Sequence, residues 1–77
     1  MIKDLVEYVV MQLVHDPESV QVSVTHGEGM RTILITVSTR DRGRLIGKRG
    51  QTIRAVRTLV DAIMLSNNEK IMVRVAD

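Results

Sequence analysis

Residues 43–50 read Gly-Arg-Leu-Ile-Gly-Lys-Arg-Gly. Three glycines and three basic residues surround one Leu-Ile pair, and the patterns on either side decide what the stretch is. After Gly50 the apolar residues Ile53, Val56, Leu59, Val60, Ile63 and Met64 follow a 3-4 rhythm, with Arg54, Arg57, Thr58 and Asp61 between them. That spacing predicts an amphipathic helix of some fifteen residues. Before Gly43, Ser38 or Thr39 can cap a short helix that begins at Arg40 or Asp41, and Asp41 suits its positive end. Gly47 and Gly50 stop it soon after Ile46. The stretch is therefore a tight turn between two helices, with two cations, Lys48 and Arg49, at its tip.

Further out, the period changes. Ile2, Leu5, Val6, Val9, Val10, Leu13 and Val14 form one helical stripe over residues 2–15, which Asp16-Pro17 ends. Val20, Val22 and Val24, then Ile33, Ile35 and Val37, alternate with polar residues and predict two strands with one buried face. HGEGMR between them supplies glycines for a hairpin turn. Leu34 falls on the outer face. Ser66-Asn67-Asn68 is a polar stop for the long helix, and Ile71, Val73 and Val75 make a last strand. The predicted architecture is α+β, in the order helix-strand-strand-helix-helix-strand. A three-stranded sheet covered on one face by three helices buries every stripe at once.

The 77 residues allow one domain over 1–77. A chain of this size buries only about 60% of its unfolded-state surface, and oligomerisation is a common remedy. Without cysteine there is no disulfide scaffold or thiolate metal site, and the composition suits a reducing compartment. No apolar run reaches membrane-spanning length, and Asp4 and Glu7 interrupt anything resembling a signal peptide. The net charge of +2 hides an asymmetry: from Arg40 to Arg57 seven basic residues face one Asp. Such a local field attracts polyanions, or it is a solvated face.

Nucleotide-hydrolase chemistry does not fit the glycine stretch. GxxxxGK followed by Ser or Thr is absent: Arg42 stands where the first glycine belongs, and Arg49 takes the hydroxyl position. GxGxxG is also absent. What remains is a pair of cations next to the unpaired amides of a helix N-terminus, a combination that matches a phosphodiester backbone. With one Tyr and no Phe or Trp, modules that stack bases on aromatic rings are a poor fit.

The segment Ile46-Gly47-Lys48-Arg49-Gly50, with a short helix before and an amphipathic helix after, resembles the signature of the KH domain. In that family a GxxG loop clamps the backbone of single-stranded nucleic acid. Two strands precede the signature and a helix and strand follow it, which resembles the bacterial type II arrangement. Over its full length, including the LVEYVV helix and the DPESVQV break, the chain is similar to the small stand-alone bacterial KH proteins of the KhpA, or YlqC-like, family. The resemblance implies a cytoplasmic RNA-binding homodimer that pairs with a larger KhpB/Jag-like KH-domain protein, with links to cell elongation and RNA-level regulation. It implies that Gly47 and Gly50 are the loop glycines and that Lys48 and Arg49 contact the backbone. Gly43 is then the small residue of the preceding helix, and Ile46 the apolar residue before the loop.

Arg54 and Arg44 are expected to extend the RNA-binding surface. Arg57 either continues it or pairs with Asp61 four residues on. Arg40, Arg42 and Arg44 alternate, so they cannot share one helical face. A homodimer contact is expected on the long helix, around Ile53, Arg57 and Val60. His15 and His26 stand far apart and suggest helix-end and turn roles. No carboxylate pair or Ser-His-Asp spacing proposes catalysis, so neither an enzyme nor a cofactor or metal is expected. Two functions remain: an RNA-binding module, or a protein-interaction module whose basic face is ordinary surface.

Overall fold

The computed structural model describes residues 2–27, 29–64 and 70–76. Helix α1 (Ile2–Leu13) leads through a 3-10 turn at Pro17–Ser19 into strands β1 (Gln21–Gly27) and β2 (Met30–Thr36). Helix α2 (Thr39–Ile46), a second 3-10 turn at Lys48–Gly50, helix α3 (Gln51–Ile63) and strand β3 (Lys70–Val75) follow. The expected polar stop at Ser66-Asn67-Asn68 lies outside the described residues.

The sheet order is β1-β2-β3. β1 and β2 form an antiparallel hairpin closed by the Gly27–Met30 pair. Of the two glycines in the hairpin, Gly29 takes the positive φ, +66°. β3 lies parallel to β2, with Ile33 beside Val73 and Ile35 beside Val75. A parallel pair needs a crossover, and α2, the glycine turn and α3 supply it. This is the type II KH arrangement.

Strand alternation sets the core. Val22, Ile33, Ile35, Val37 and Val73 are buried on one side of the sheet, under Val6 and Val10 of α1, Leu45 of α2, and Val56 and Val60 of α3. The register expected from the sequence is the one adopted, since a one-residue slip would have turned Ile35 and Val73 to solvent.

The helical stripes are wider than the core that receives them. Leu5 and Leu13 of α1 and Leu59 and Ile63 of α3 are exposed, although their spacing placed them with the core. Three helices over a three-stranded sheet bury only the central line of each stripe and leave its shoulders in water.

The end of α1 also differs from expectation. The helix stops at Leu13, before the Asp16-Pro17 break. The reason is Asp41. Its carboxylate accepts the backbone N–H of His15 at 2.9 Å and that of Asp16 at 2.9 Å, and the Ser38 hydroxyl donates to it at 3.0 Å. The amides at 15 and 16 are thereby drawn out of the helical ladder. Asp41 is fully buried, on the same face of α2 as Leu45. Asp41 thus does more than suit the positive end of α2, the role its position in the first turn suggests: it staples the exit of α1 to the start of α2.

Candidate nucleic-acid interface

The candidate interface is built at the C-terminus of α2. The N–H of Gly47 donates to the carbonyl of Gly43 at 2.9 Å and closes the helix, and that of Gly50 donates to Gly47 at 3.1 Å. Three of the four loop residues then take positive φ: Gly47 (φ 77°, ψ 172°), Arg49 (φ 57°, ψ 26°) and Gly50 (φ 74°, ψ 17°). Glycine bears these angles without a Cβ clash. Arg49 does not, and its left-handed backbone costs about 1–2 kcal/mol. The Arg49 side chain is exposed at the tip of the loop.

The glycines are not equivalent. A Cβ on Gly47 would run into the Thr52 side chain and lie 2.9 Å from the Thr52 backbone nitrogen. On Gly50 it would meet nothing nearer than the Arg54 guanidinium, at 3.5 Å. Gly47 is required by close approach, Gly50 by its backbone angle alone. Thr52 does not stand out in the sequence, because nothing in the spacing shows that it sits beneath Gly47.

The N-terminus of α3 has no side-chain cap, since Gly50 occupies that position. Lys48, Arg49 and Gln51 line an open depression of about 330 Å³ there. Gln51, too, is a residue that the sequence does not mark. Lys48 and Arg49 are exposed, and Arg54 stands one helical turn on, with its guanidinium over Gly50. Arg44 is exposed in the last turn of α2, and Ile46, 38% exposed, presents an apolar surface directly before the loop. Gly43 is exposed, and a Cβ there would meet open space.

Other arginines fall elsewhere. Arg40 donates from Nε and Nη2 to both carboxylate oxygens of Asp16, at 3.0 and 3.1 Å. That pairing holds the Asp16 carboxyl below its ordinary value and takes Arg40 out of the candidate site. The Nε of Arg42 is buried and has no hydrogen-bond partner among the described residues. Arg57 is exposed, and the alternative of an ion pair with Asp61 is not adopted among the described residues. Burial works to raise the Asp41 carboxyl, but the His15 and Asp16 amides and the Ser38 hydroxyl outweigh it and bring the group below its ordinary value.

The expected dimer residues separate. Val60 is 1% exposed and belongs to the core of the single chain, so it presents nothing to a partner. Ile53 is half-buried against that core, and Arg57 is on the surface. The exposed apolar surface of α3 is instead Leu59 (42%) and Ile63 (45%). Leu59 borders a groove of about 410 Å³ between α1 and α3, whose other wall is Val9 and Leu13. Among the described residues no three His, Asp or Glu side chains gather as metal ligands, and no helix is long and apolar enough to cross a membrane.

Residues 3–75 match the family model described as "KhpA/KhpB, KH domain". The chain is 38% identical over 73 residues to RNA-binding protein KhpA of Clostridium perfringens, covering 95% of this chain and 97% of the relative. It is 35% identical over 75 residues to RNA-binding protein KhpA of Chlamydia caviae, covering 97% and 96%. Among solved structures it resembles Era in complex with MgGDPNP and nucleotides 1506–1542 of 16S ribosomal RNA, with a TM-score of 0.65 and 21% identity. An Aquifex aeolicus Era variant bound to GDP·AlF4− gives 0.64 and 21%. Each match covers 97% of this chain but only 30% of the Era chain, and it bears on the fold alone. With the family model matching almost from end to end and the KhpA relatives aligned along nearly their whole length, the chain belongs to the KhpA/KhpB family of KH-domain proteins.

Proposed function

We propose that this chain holds single-stranded RNA at the Gly47–Gly50 loop and works as a post-transcriptional regulator or RNA chaperone. The observation that carries the reading is the loop itself. Two exposed cations stand on a left-handed turn directly before an uncapped helix N-terminus, in a family whose relatives bear the name RNA-binding protein KhpA. Lys48, Arg49 and Arg54 contact successive phosphates and the α3 amides hold one of them. Ile46 offers an aliphatic platform to a base, in keeping with the scarcity of aromatic rings. Gly43 leaves room for the strand, and Arg44 adds charge beside it. The link to cell elongation and division rests on the family resemblance.

The chain acts as a homodimer, or with a larger KhpB/Jag-like partner. Ile53 and Arg57 stay in the proposed contact, joined by the exposed Leu59 and Ile63, while Val60 drops out of it.

The test is the pair Lys48→Asp with Arg49→Asp. Both side chains are exposed, and Asp tolerates the left-handed backbone at position 49. Such surface changes move stability by about 0.5 kcal/mol or less. Affinity for a short single-stranded RNA falls more than about tenfold at low salt, and the slope of log K against log salt flattens by about 0.7 per lost phosphate contact. A folded double variant with the parent's affinity and slope refutes the clamp and favours the protein-interaction reading.

A further inference from the structure

The sheet has a second face, turned away from the helices. By strand alternation it carries Met30, Thr32, Leu34, Lys70, Met72 and Arg74, with Ser23 and Thr25 of β1 beside them. Cross-strand pairing puts Thr32 next to Met72 and Leu34 next to Arg74, so Met72 on β3 lies between the levels of Met30 and Leu34 on β2 and the three form one bent apolar patch. Met30 is 37% and Met72 41% exposed, and Leu34 is half-buried. The four-residue step from Met30 to Leu34 runs about 13 Å along β2.

The surroundings of this patch say what fits it. Lys70 and Arg74 flank it on β3, and among the described residues the strands place no Asp or Glu on this face; Glu7 of α1 lines, with Lys3, a depression at the β1 border beside Gln21 and Ser23. The charge on the strands is therefore of one sign and on one side. A second copy placed face to face would offer these cations no strand carboxylate among the described residues. Between the two cations this face is apolar, unlike the glycine loop, where Lys48 and Arg49 are adjacent. Methionine adapts its shape to an apolar partner. Three strands span about 10 Å, the diameter of one helix, and a sheet with helices on both faces is a stable layering.

We propose that the open sheet face docks an acidic amphipathic helix of a partner protein. Its apolar stripe lies along Met30, Met72 and Leu34, and its carboxylates face Lys70 and Arg74. This surface is distinct from the RNA loop and from the α1–α3 groove.

The experiment places the photo-crosslinking residue benzoylphenylalanine at position 72 of the full chain in living cells and sequences the crosslinked segment by mass spectrometry. The expected product is a segment of another protein with apolar residues at helical spacing and more acidic than basic side chains. Its yield falls at least fivefold when Lys70→Glu and Arg74→Glu are added, with the fold verified by circular dichroism, and survives Lys48→Asp with Arg49→Asp. The proposal is overturned by a crosslink to RNA, to a second copy of this chain, or to a neutral or basic segment. A yield no higher than with the probe at exposed Gln12, or one unmoved by the charge reversals, overturns it as well.

Discussion

Replacing Gly47 and Gly50 one at a time by alanine separates the two reasons for a glycine. At Gly47, φ 77° with ψ 172° lies in a region essentially reserved for glycine, at a cost of about 1–3 kcal/mol for any other residue. The new methyl also meets Thr52, 2.9 Å from both its Cβ and its backbone nitrogen. Backbone gives way less easily than a side-chain tip, and overpacking adds about 1–3 kcal/mol. Lower entropy of the unfolded chain returns about 0.4–1 kcal/mol. The net loss for Gly47→Ala is then about 3 kcal/mol. Gly50→Ala meets no close contact and carries only the left-handed penalty, about 1–2 kcal/mol less the same entropic return, or about 1 kcal/mol net. At about 4–8 °C per kcal/mol for a domain of this size, the two melting temperatures differ by about 8–16 °C. Thermal melts followed by circular dichroism read the gap directly. Adding Thr52→Ala to Gly47→Ala recovers only part of the loss, because the backbone nitrogen stays where it was. A gap below about 4 °C, corresponding to 1 kcal/mol or less, or a Gly50 variant that melts lower than the Gly47 variant, refutes the close-approach reading.

Three other outcomes are expected. The Asp41 carboxyl titrates below its ordinary value, so its stabilisation is complete above the unfolded pKa of about 3.9 and is lost as the pH falls through the folded value. Asp41→Asn, which sets an amide N–H₂ against one of the two backbone donors because His15 and Asp16 donate to different carboxylate oxygens, therefore lowers the melting temperature at neutral pH and flattens its decline in acid; an acid profile parallel to the parent's would remove Asp41 from that role. Arg40→Ala, whose partner is Asp16, leaves RNA affinity within about twofold, whereas Arg54→Ala weakens it by about 1.5–3 kcal/mol, the order of one charge-assisted hydrogen bond; filter binding that ranks them the other way moves the phosphate track to α2. Leu59→Asp shifts sedimentation equilibrium at micromolar concentration toward the monomer without lowering the melting temperature of that monomer, and an unchanged mass near twice 8.7 kDa would place the dimer contact elsewhere.

Strand register was legible in the sequence because its period is two and β-branched residues mark it. Val22, Ile33, Ile35 and Val73 needed no tertiary knowledge to be set inside. The loop was legible because two glycines and two cations at that spacing leave few alternatives. Helix faces were less so. Leu59 and Val60 are neighbours of similar hydrophobicity, and only the position of α3 on the sheet decides that Val60 is core and Leu59 surface. Asp41 was the hardest to see. An aspartate in the first turn of a helix is ordinary, and its three donors come from residues 15, 16 and 38, two of them backbone amides without a sequence signature. Arg49 carried no hint of its left-handed backbone either, since a flanking glycine would bear that angle at lower cost.

The parallel pairing of β3 with β2 has a consequence for the chain as it is made. β2 finds β1 across a two-residue turn, but its other edge waits for a partner forty positions on, from Met30 to Lys70. At about 5–20 residues per second, synthesis leaves that edge open for about 2–8 s. During this interval Ile33 and Ile35 belong to a strand rich in β-branched residues with one edge open, the kind of edge that recruits other chains. The hazard of aggregation is thus concentrated in the nascent chain, and it ends when β3 leaves the ribosome and closes the open side of the hairpin.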